Sequence, residues 1–204
     1  MTRIERTDPT PIDDARLEDA WLEADTYGGF ASGTVGTMRT RRYQALLLAA
    51  TQPPAGRVVL VNGIEAWLEV NGQRFALTMQ HYASDVRYPD ATANLLSFDT
   101  EPWPTWRFRI GEEAVAVAEI FVAKQSRETV LRWRLEDAVT PTFEAARLQI
   151  RPLMSGRDYH ALHHENTAFS FDATLEGERV HWQPYGDLPV ICATSNGTYE
   201  HVPD

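Results

Sequence analysis

The chain has 204 residues and a formal net charge of −10, with 19 Lys and Arg against 29 Asp and Glu. This acidic balance disfavours nucleic acids and anionic membranes as partners, because the long-range field of the protein repels phosphate groups. One cysteine, Cys192, excludes an intrachain disulfide and favours a cytoplasmic setting. The N-terminus lacks the apolar core of a secretory signal, and no apolar run approaches the roughly 20 residues of a membrane span.

We expect one domain over residues 1–204, because a chain of this length buries enough surface to be stable without disulfides or a structural metal. Residues 1–11 are predicted to be a frayed leader. The next segment, 12–25, fits either a short amphipathic helix or a strand at Ala20–Ala24, and we favour the strand.

A glycine-rich segment follows at 28–36, where four glycines lie among small residues. We interpret it as a tight, polar-rimmed corner, because glycine permits positive φ angles and close approach of the backbone. Residues 45–50 are apolar at every position, which is typical of a strand covered on both faces. Arg41, Arg42 and Tyr43 stand between the two and are candidate binding residues.

Beyond a turn at Pro53-Pro54, apolar residues recur mainly with a period of two, as in strands with one buried face. The alternating runs lie at 66–70, 75–79, 105–110, 131–136, 148–151 and 169–172. Hairpin turns are predicted at Asn71-Gly72, Glu176-Gly177 and Asn196-Gly197. About a dozen short strands predict an all-β fold, and we favour a large antiparallel β-sandwich over a wide barrel.

Two longer irregular stretches, 81–94 and 155–167, are predicted loops, and loops of this length on a rigid sheet often carry binding groups. The second contains the densest polar cluster in the chain: Arg157, Asp158, Tyr159, His160, His163, His164, Glu165 and Asn166. Its histidines raise the question of a metal site. Neither H-E-x-x-H nor H-x-x-E-H is present, however, and no cysteine lies nearby, so we expect no metal.

The carboxylates of this cluster allow two interpretations. Glycoside hydrolysis needs two carboxyl groups about 5–9.5 Å apart, and nothing in the sequence fixes such a distance between Asp158 and Glu165. We favour a structural role, in which Arg157, Asp158 and Glu165 form a buried ion-paired network or contact another domain. The glycine-rich segment is no phosphate-binding loop, because Thr34 stands where the lysine is required.

Aromatic side chains supply further candidates for sugar binding. Trp103 stands between two prolines and suits a surface platform as well as the core. Trp106 continues an alternating apolar face, which favours the core. Tyr82 and Tyr88 are weaker candidates for platforms of the same kind.

The two motif-rich parts of the chain resemble one known family. The early matches are WL at 21–22, YGGFASGT at 27–34 and TRRYQALL at 40–47; the later ones are RPL at 151–153, RDYH at 157–160 and HEN at 164–166. Residues 104–111 and 184–189 match as well. The chain therefore resembles the N-terminal domain of the bacterial and archaeal type of glycogen debranching enzyme, amylo-α-1,6-glucosidase. Gln44 and Ala45 depart from the family's His-Gly, and Tyr27 departs from its leucine.

The resemblance implies a supersandwich-like β-sandwich of the kind that precedes the (α/α) barrel in glucoamylase-like glycosidases. In such enzymes the barrel supplies the acid and base carboxylates. Because no barrel is present in this chain, we expect it to be inactive alone and to hold no catalytic residue and no cofactor. The expected partners are a catalytic barrel and an α-glucan such as glycogen or limit dextrin. Candidate residues for docking or substrate binding are Arg41, Arg42, Tyr43, Trp103, Arg157, Asp158, Tyr159, His160, His164, Glu165 and Asn166.

Two other functions stay open at this point. One is a free-standing α-glucan-binding module. The other is a hydrolase or glucanotransferase that uses Asp158 and Glu165.

Overall fold

A computed structural model describes residues 12–112, 114–136, 145–162 and 164–202. Fifteen strands lie in this part of the chain, and all their pairings are antiparallel. The helical elements described there are three short 3-10 turns, Asp14–Arg16, Ala83–Asp85 and Thr92–Asn94. The predicted all-β sandwich is confirmed.

The larger sheet has six strands in the order β1-β2-β3-β4-β12, with β5 paired to β4 beside this path. Its strands are β1 (Ala20–Ala24), β2 (Phe30–Thr34), β3 (Ala45–Gln52), β4 (Ala55–Val70), β5 (Gln73–Ala76) and β12 (Ala146–Asp158). The long strand β4 is the centre of this sheet, because its first half pairs with β3, its second half pairs with β5, and β12 follows it along most of its length.

Three smaller sheets complete the fold. The second layer of the sandwich has the order β11-β10-β9-β8, formed by β8 (Leu95–Asp99), β9 (Thr105–Ile110), β10 (Ala114–Ala123) and β11 (Glu128–Glu136). A two-stranded hairpin joins β6 (His81–Tyr82) to β7 (Val86–Arg87). The last sheet contains β13 (Ala173–Glu176), β14 (Arg179–Trp182) and β15 (Ile191–Thr194).

The core lies between the two large sheets. Trp21 on β1 and Trp106 on β9 meet edge to face, with ring centroids 5.5 Å apart. The indole Nε1 of Trp106 donates to the carbonyl oxygen of Val35 at 2.7 Å, so the buried polar atom of this core residue is satisfied. Alternating residues of β9 fill the same layer, and Phe108 and Ile110 are almost completely buried.

Several elements match their predictions. The strand favoured at Ala20–Ala24 is β1, and the apolar run 45–50 lies within β3, where most side chains are buried. Asn71 and Gly72 form the turn between β4 and β5 with φ angles of 49° and 78°, a conformation that suits these two residues. Gly177, with a φ angle of 61°, lies in the predicted turn between β13 and β14.

Other predictions are wrong. The glycine-rich segment is not a polar-rimmed corner throughout, because its middle is the largely buried strand β2. The run 169–172 is not a strand, and Asn196-Gly197 follows the last described strand instead of joining two. The second loop begins at residue 159, since β12 continues to Asp158. The first loop, 81–94, contains a hairpin and two 3-10 turns. The leader, 1–11, lies outside the described residues.

Among the described residues, no helix has the length and apolar character that crossing a membrane requires.

Candidate functional site

Two polar segments that are distant in the sequence meet at one end of the larger sheet. The first is the turn 41–44 before β3, in which the backbone N–H of Gln44 donates to the carbonyl oxygen of Arg41 at 3.0 Å. The side-chain oxygen of the buried Gln44 also accepts from the N–H of Arg41 at 3.1 Å. Gln44, one of the departures noted in the resemblance, therefore stabilises this turn with both its backbone and its buried side chain.

The second segment is the end of β12 with the residues after it. Arg157 and Asp158 pair with Val59 and Val58 of β4, and the N–H of Tyr159 donates to the carbonyl oxygen of Arg57 at 3.0 Å. The sheet therefore fixes where this segment leaves β12.

The guanidinium group of Arg157 joins the two segments. Its Nη2 donates to the carbonyl oxygen of Arg42 at 2.6 Å, and its Nη1 donates to the carbonyl oxygens of Ala161 at 3.1 Å and Tyr159 at 3.4 Å. Burial, followed by the positive charge of Arg42, lowers the pKa of Arg157, while the charge of Asp158 acts in the opposite direction. The geometry is that of a fork that ties the backbone of two loops together.

Side chains of the first segment also contact the second. Nη1 of Arg42 donates to the carbonyl oxygen of His160 at 3.2 Å, and the hydroxyl of Tyr43 lies 3.4 Å from Nδ1 of the same histidine. The ring of Tyr159 lies between the others, with centroids 4.5 Å from Tyr43 and 5.1 Å from His160. We call Arg42, Tyr43, Arg157, Tyr159 and His160 the rim cluster.

The buried ion-paired network predicted from Arg157, Asp158 and Glu165 is wrong. Arg157 bonds to backbone carbonyls, and both carboxylates are exposed. Oδ1 of Asp158 accepts from the N–H of His160 at 2.8 Å and so stabilises the turn after β12. The reason is geometric: a planar fork of donors fits several convergent carbonyl oxygens, whereas the adjacent carboxylate points along its own turn.

The remaining candidates of this loop lie apart from the described contacts of the rim cluster. His164 and Glu165 are exposed, and the side chain of Asn166 accepts from the N–H of Ala168 at 3.0 Å, as in a local turn. Arg41 is exposed beside Arg42. His163 lies outside the described residues. Among the residues that are described, no group of three or more His, Cys, Asp or Glu side chains is placed to hold a metal ion.

Trp103 lies on the second layer, away from the rim cluster's strands. Its ring packs on Phe121 with centroids 4.9 Å apart, and its Nε1 donates to Oε1 of Glu119 at 3.2 Å. Glu119 is 8% exposed, and the guanidinium groups of Arg132 and Arg134 lie 3.5 and 3.6 Å from its Oε2. Trp103 is thus half-buried and held on the outer face of this sheet.

Two residues of the site were missed by the sequence. Phe30 packs edge to face on Tyr159, with centroids 6.0 Å apart, and the guanidinium of Arg57 lies 5.8 Å from the centre of the same ring. Nε of Arg57 also donates to the carbonyl oxygen of Gly28 at 3.1 Å. Sequence offered no signal for this role of Arg57, because a lone arginine in a strand is usually an exposed side chain.

A further segment named in the resemblance, 184–189, has a structural role. A Cβ atom added at Gly156 would lie 2.6 Å from the ring of Tyr185, so glycine is required where the 184–189 segment crosses β12. The segment 184–189 therefore packs directly against the strand that carries Arg157.

Comparison with curated proteins and with solved structures gave no match. A sequence profile described as glycogen debranching enzyme N terminal matches residues 20–204. This match covers both segments that carry the rim cluster and nearly the whole chain. The chain belongs to the glycogen debranching enzyme N-terminal family.

Proposed function

We propose that this chain is the non-catalytic N-terminal domain of a cytoplasmic glycogen debranching enzyme of the amylo-α-1,6-glucosidase type, and that its rim cluster docks on the catalytic (α/α) barrel. The observation that carries the proposal is the reciprocal bonding between Arg42 and the segment of Arg157 and His160. Such bonding forms an exposed polar surface before any partner arrives, and a preorganised surface loses less entropy on association.

The charge of this surface supports a protein partner. Arg41 and Arg42 are exposed beside the half-buried Arg157, although the chain as a whole carries a net charge of −10. Guanidinium groups bind carboxylates with two parallel hydrogen bonds, which gives both strength and orientation. The complementary surface on the barrel is therefore one that presents carboxylates.

The carboxylates of the loop support a non-catalytic role. One oxygen of Asp158 is occupied by the N–H of His160, and both Asp158 and Glu165 are exposed to water. A glycosidase acid works from a sequestered pocket beside its partner carboxylate. Neither residue is sequestered in this way.

The docking proposal is tested by mixing this chain with the separately expressed catalytic barrel of a debranching enzyme from the same organism. Size-exclusion chromatography should show co-elution, and Arg42→Ala and Tyr43→Ala should abolish it. Arg179→Ala is a matched control, because Arg179 is an exposed arginine on β14. Separate elution of the unaltered proteins at high concentration would contradict the proposal.

A second candidate function is α-glucan binding at the rim cluster itself. Tyr43 favours it, since this side chain is 46% exposed while its ring is supported from behind by Tyr159. A supported aromatic ring presents a flat apolar surface to the C–H face of a sugar at low entropic cost. Migration of the chain in glycogen-containing gels, compared between the natural protein and Tyr43→Ala, tests this candidate.

A further inference from the structure

A second exposed aromatic surface lies on the outer face of the larger sheet. Along β4, Ile64, Ala66 and Leu68 point into the core, so the alternate residues Glu65 and Trp67 point outward. Register places Trp67 beside Gln149 of β12 on one side and Ala76 of β5 on the other.

Arg74 and Gln149 hold the indole of Trp67 in a polar frame. The guanidinium carbon of Arg74 lies 4.3 Å from the centre of the Trp67 ring, and its Nη2 donates to the side-chain oxygen of Gln149 at 3.2 Å. A stacked guanidinium retains donors at its edge, so the surface beside the indole can form hydrogen bonds.

The β6–β7 hairpin adds two tyrosines to this surface. The hydroxyl of Tyr82 donates to Oε1 of Glu65 at 3.1 Å, and the ring of Tyr88 lies 5.8 Å from that of Trp67. Both tyrosines are prominent in solvent, at 47% and 57% exposure. We call Trp67, Arg74, Tyr82, Tyr88 and Gln149 the aromatic face.

The hairpin that carries these tyrosines is fixed to the sheet. Tyr88 donates its N–H to the carbonyl oxygen of Gln80 at 3.0 Å, and the N–H of Gln80 donates to that of Pro89 at 3.2 Å. The side-chain amide of the buried Gln80 then donates to the carbonyl oxygen of Ile64 on β4 at 2.8 Å. Exposed rings on a fixed support are placed for binding and not for the core.

The carboxylate beneath this surface is compensated. The nearly buried carboxylate of Glu65 forms an ion pair with Arg151 at 2.8 Å and accepts from Tyr82. Burial, with the hydrogen bond and the charge of Glu65, raises the pKa of Tyr82, so the phenol keeps its proton at neutral pH. A surface of flat rings, with its buried carboxylate ion-paired and hydrogen-bond donors at the edge of Arg74, suits an uncharged ligand that has apolar C–H faces and many hydroxyl groups.

We propose that the aromatic face binds an α-glucan chain, with glucose rings stacked on Tyr88 and Tyr82 and hydroxyl groups bonded at the edge of Arg74. The choice of an α-glucan rests on the proposed debranching function, whereas the surface itself is separate from the rim cluster. Gln149 and Arg157 are eight residues apart on β12, which corresponds to roughly 25 Å at the usual rise of a strand. The surface proposed to bind the glucan is thus separate from the rim cluster, which is proposed to dock on the barrel.

Affinity electrophoresis of the full chain in glycogen-containing gels tests the proposal. The natural protein should be retarded, and Tyr88→Ala should weaken the apparent affinity about tenfold, the effect of losing one well-placed stacking ring. Tyr82→Phe retains the ring and should bind nearly as well. Phe171→Ala is the matched control and should migrate like the natural protein, because Phe171 is 65% exposed and belongs to neither surface. Tyr43→Ala, in the rim cluster, distinguishes the two surfaces. Thermal unfolding of each variant checks that the fold is retained.

Each other outcome overturns the proposal. If no retardation occurs, the aromatic face binds no α-glucan, while docking of the rim cluster is judged separately by co-elution with the barrel. If Tyr43→Ala alone abolishes retardation, the glucan binds at the rim cluster. If Tyr88→Ala leaves retardation intact but abolishes co-elution, the aromatic face is a protein interface.

Discussion

The side chain of Arg157 donates to the backbone carbonyl oxygen of Arg42 at 2.6 Å, across 115 residues of sequence. Both residues lie in segments that the sequence resemblance singled out, and the contact joins these two segments in the fold. The turn before β3 supplies the acceptor, a backbone carbonyl oxygen, and the end of β12 supplies the donor, a guanidinium group. The rim cluster is therefore a single structural unit built from two separate segments.

We expect Arg157→Lys to loosen the rim cluster without unfolding the protein. Lysine keeps the charge but replaces the planar fork with a single ammonium group, which cannot reach three carbonyl oxygens at once. The free energy of unfolding should fall by about 1–2 kcal/mol, because the lost bonds are partly offset by easier solvation of the charge. Urea denaturation measures this change, and Arg179→Lys on β14 is the control.

The same variant separates a structural from a binding role. Loss of co-elution with the barrel in Arg157→Lys, while the variant remains folded, would indicate that the partner recognises the arrangement of the two loops. If stability and co-elution are both unaffected, the contact between Arg157 and Arg42 contributes neither to the stability of the fold nor to binding of the barrel.

Gly33→Ala should destabilise the core by about 1–3 kcal/mol, the usual cost of overpacking. An added Cβ would lie 3.2 Å from Cζ2 of Trp21, whose ring is already held against Trp106. Gly186→Ala is a matched control, since a Cβ there meets nothing within 4 Å. Chemical denaturation of the two variants provides the comparison. Equal stabilities would mean that Trp21 moves freely, in conflict with its buried position.

This glycine also shows where sequence-based prediction fails. After Phe30, strand β2 contains only small or polar residues, Ala31, Ser32, Gly33 and Thr34, so the period of two that identified β9 and the β4–β5 hairpin is absent. Strand β2 is buried because it lies between β1, which carries Trp21, and β3. In the same way, Phe169 and Phe171 alternate like strand residues but stack on each other at 4.6 Å in an irregular segment.

The candidate site was predictable only in part. The motifs indicated which segments matter, because the resemblance joined 40–47 with 157–166. The partners of Arg157 were not predictable, since backbone carbonyls carry no sequence signature and an adjacent aspartate suggests an ion pair. The pairing of β4 with both β3 and β12 brings the carbonyl oxygen of Arg42 close to Arg157.

Arg39→Met should leave the protein equally stable or stabilise it by about 1–3 kcal/mol at neutral pH, because it removes a buried donor without a partner. Nη1 of Arg39 donates to the carbonyl oxygen of Thr37 at 2.9 Å, but its Nε has no hydrogen-bond partner. Burial lowers the pKa of Arg39 to about 10. Below that pH Arg39 is charged, and its burial as a cation reduces the free energy of unfolding.

The pH dependence of this effect has a definite sign. Since the pKa of Arg39 is lower in the folded than in the unfolded state, the penalty is complete below pH 10 and decreases as the pH rises above that value. The advantage of Arg39→Met over the natural protein should thus be constant from pH 7 to 9 and shrink at pH 11. Denaturant titrations at these pH values measure it. A strong loss of stability in Arg39→Met at pH 7 would reveal a compensating charge near Arg39.

We expect the purified chain to release no glucose from limit dextrin. Asp158 holds the turn of His160, and Glu165 is exposed, so no sequestered pair of carboxylates is formed by these residues. Glucose assays over long incubations measure the activity, with Glu165→Gln as the comparison. Turnover that survives repeated purification and disappears in Glu165→Gln would establish this chain as a hydrolase.

Tyr82 should titrate later than an ordinary tyrosine, because burial and the carboxylate of Glu65 both favour its protonated form. A folded pKa raised above the unfolded value of 10 contributes stability that is complete below pH 10 and is lost as the pH passes through the folded pKa. Ultraviolet titration of the tyrosinate band should show a late component that is missing in Tyr82→Phe. Binding of glycogen should weaken over the same pH interval, because Glu65 repels the tyrosinate and displaces the ring of Tyr82 from the aromatic face, whereas Tyr82→Phe should show no such change. If binding by the natural protein is constant through this interval, the ring of Tyr82 takes no part in binding.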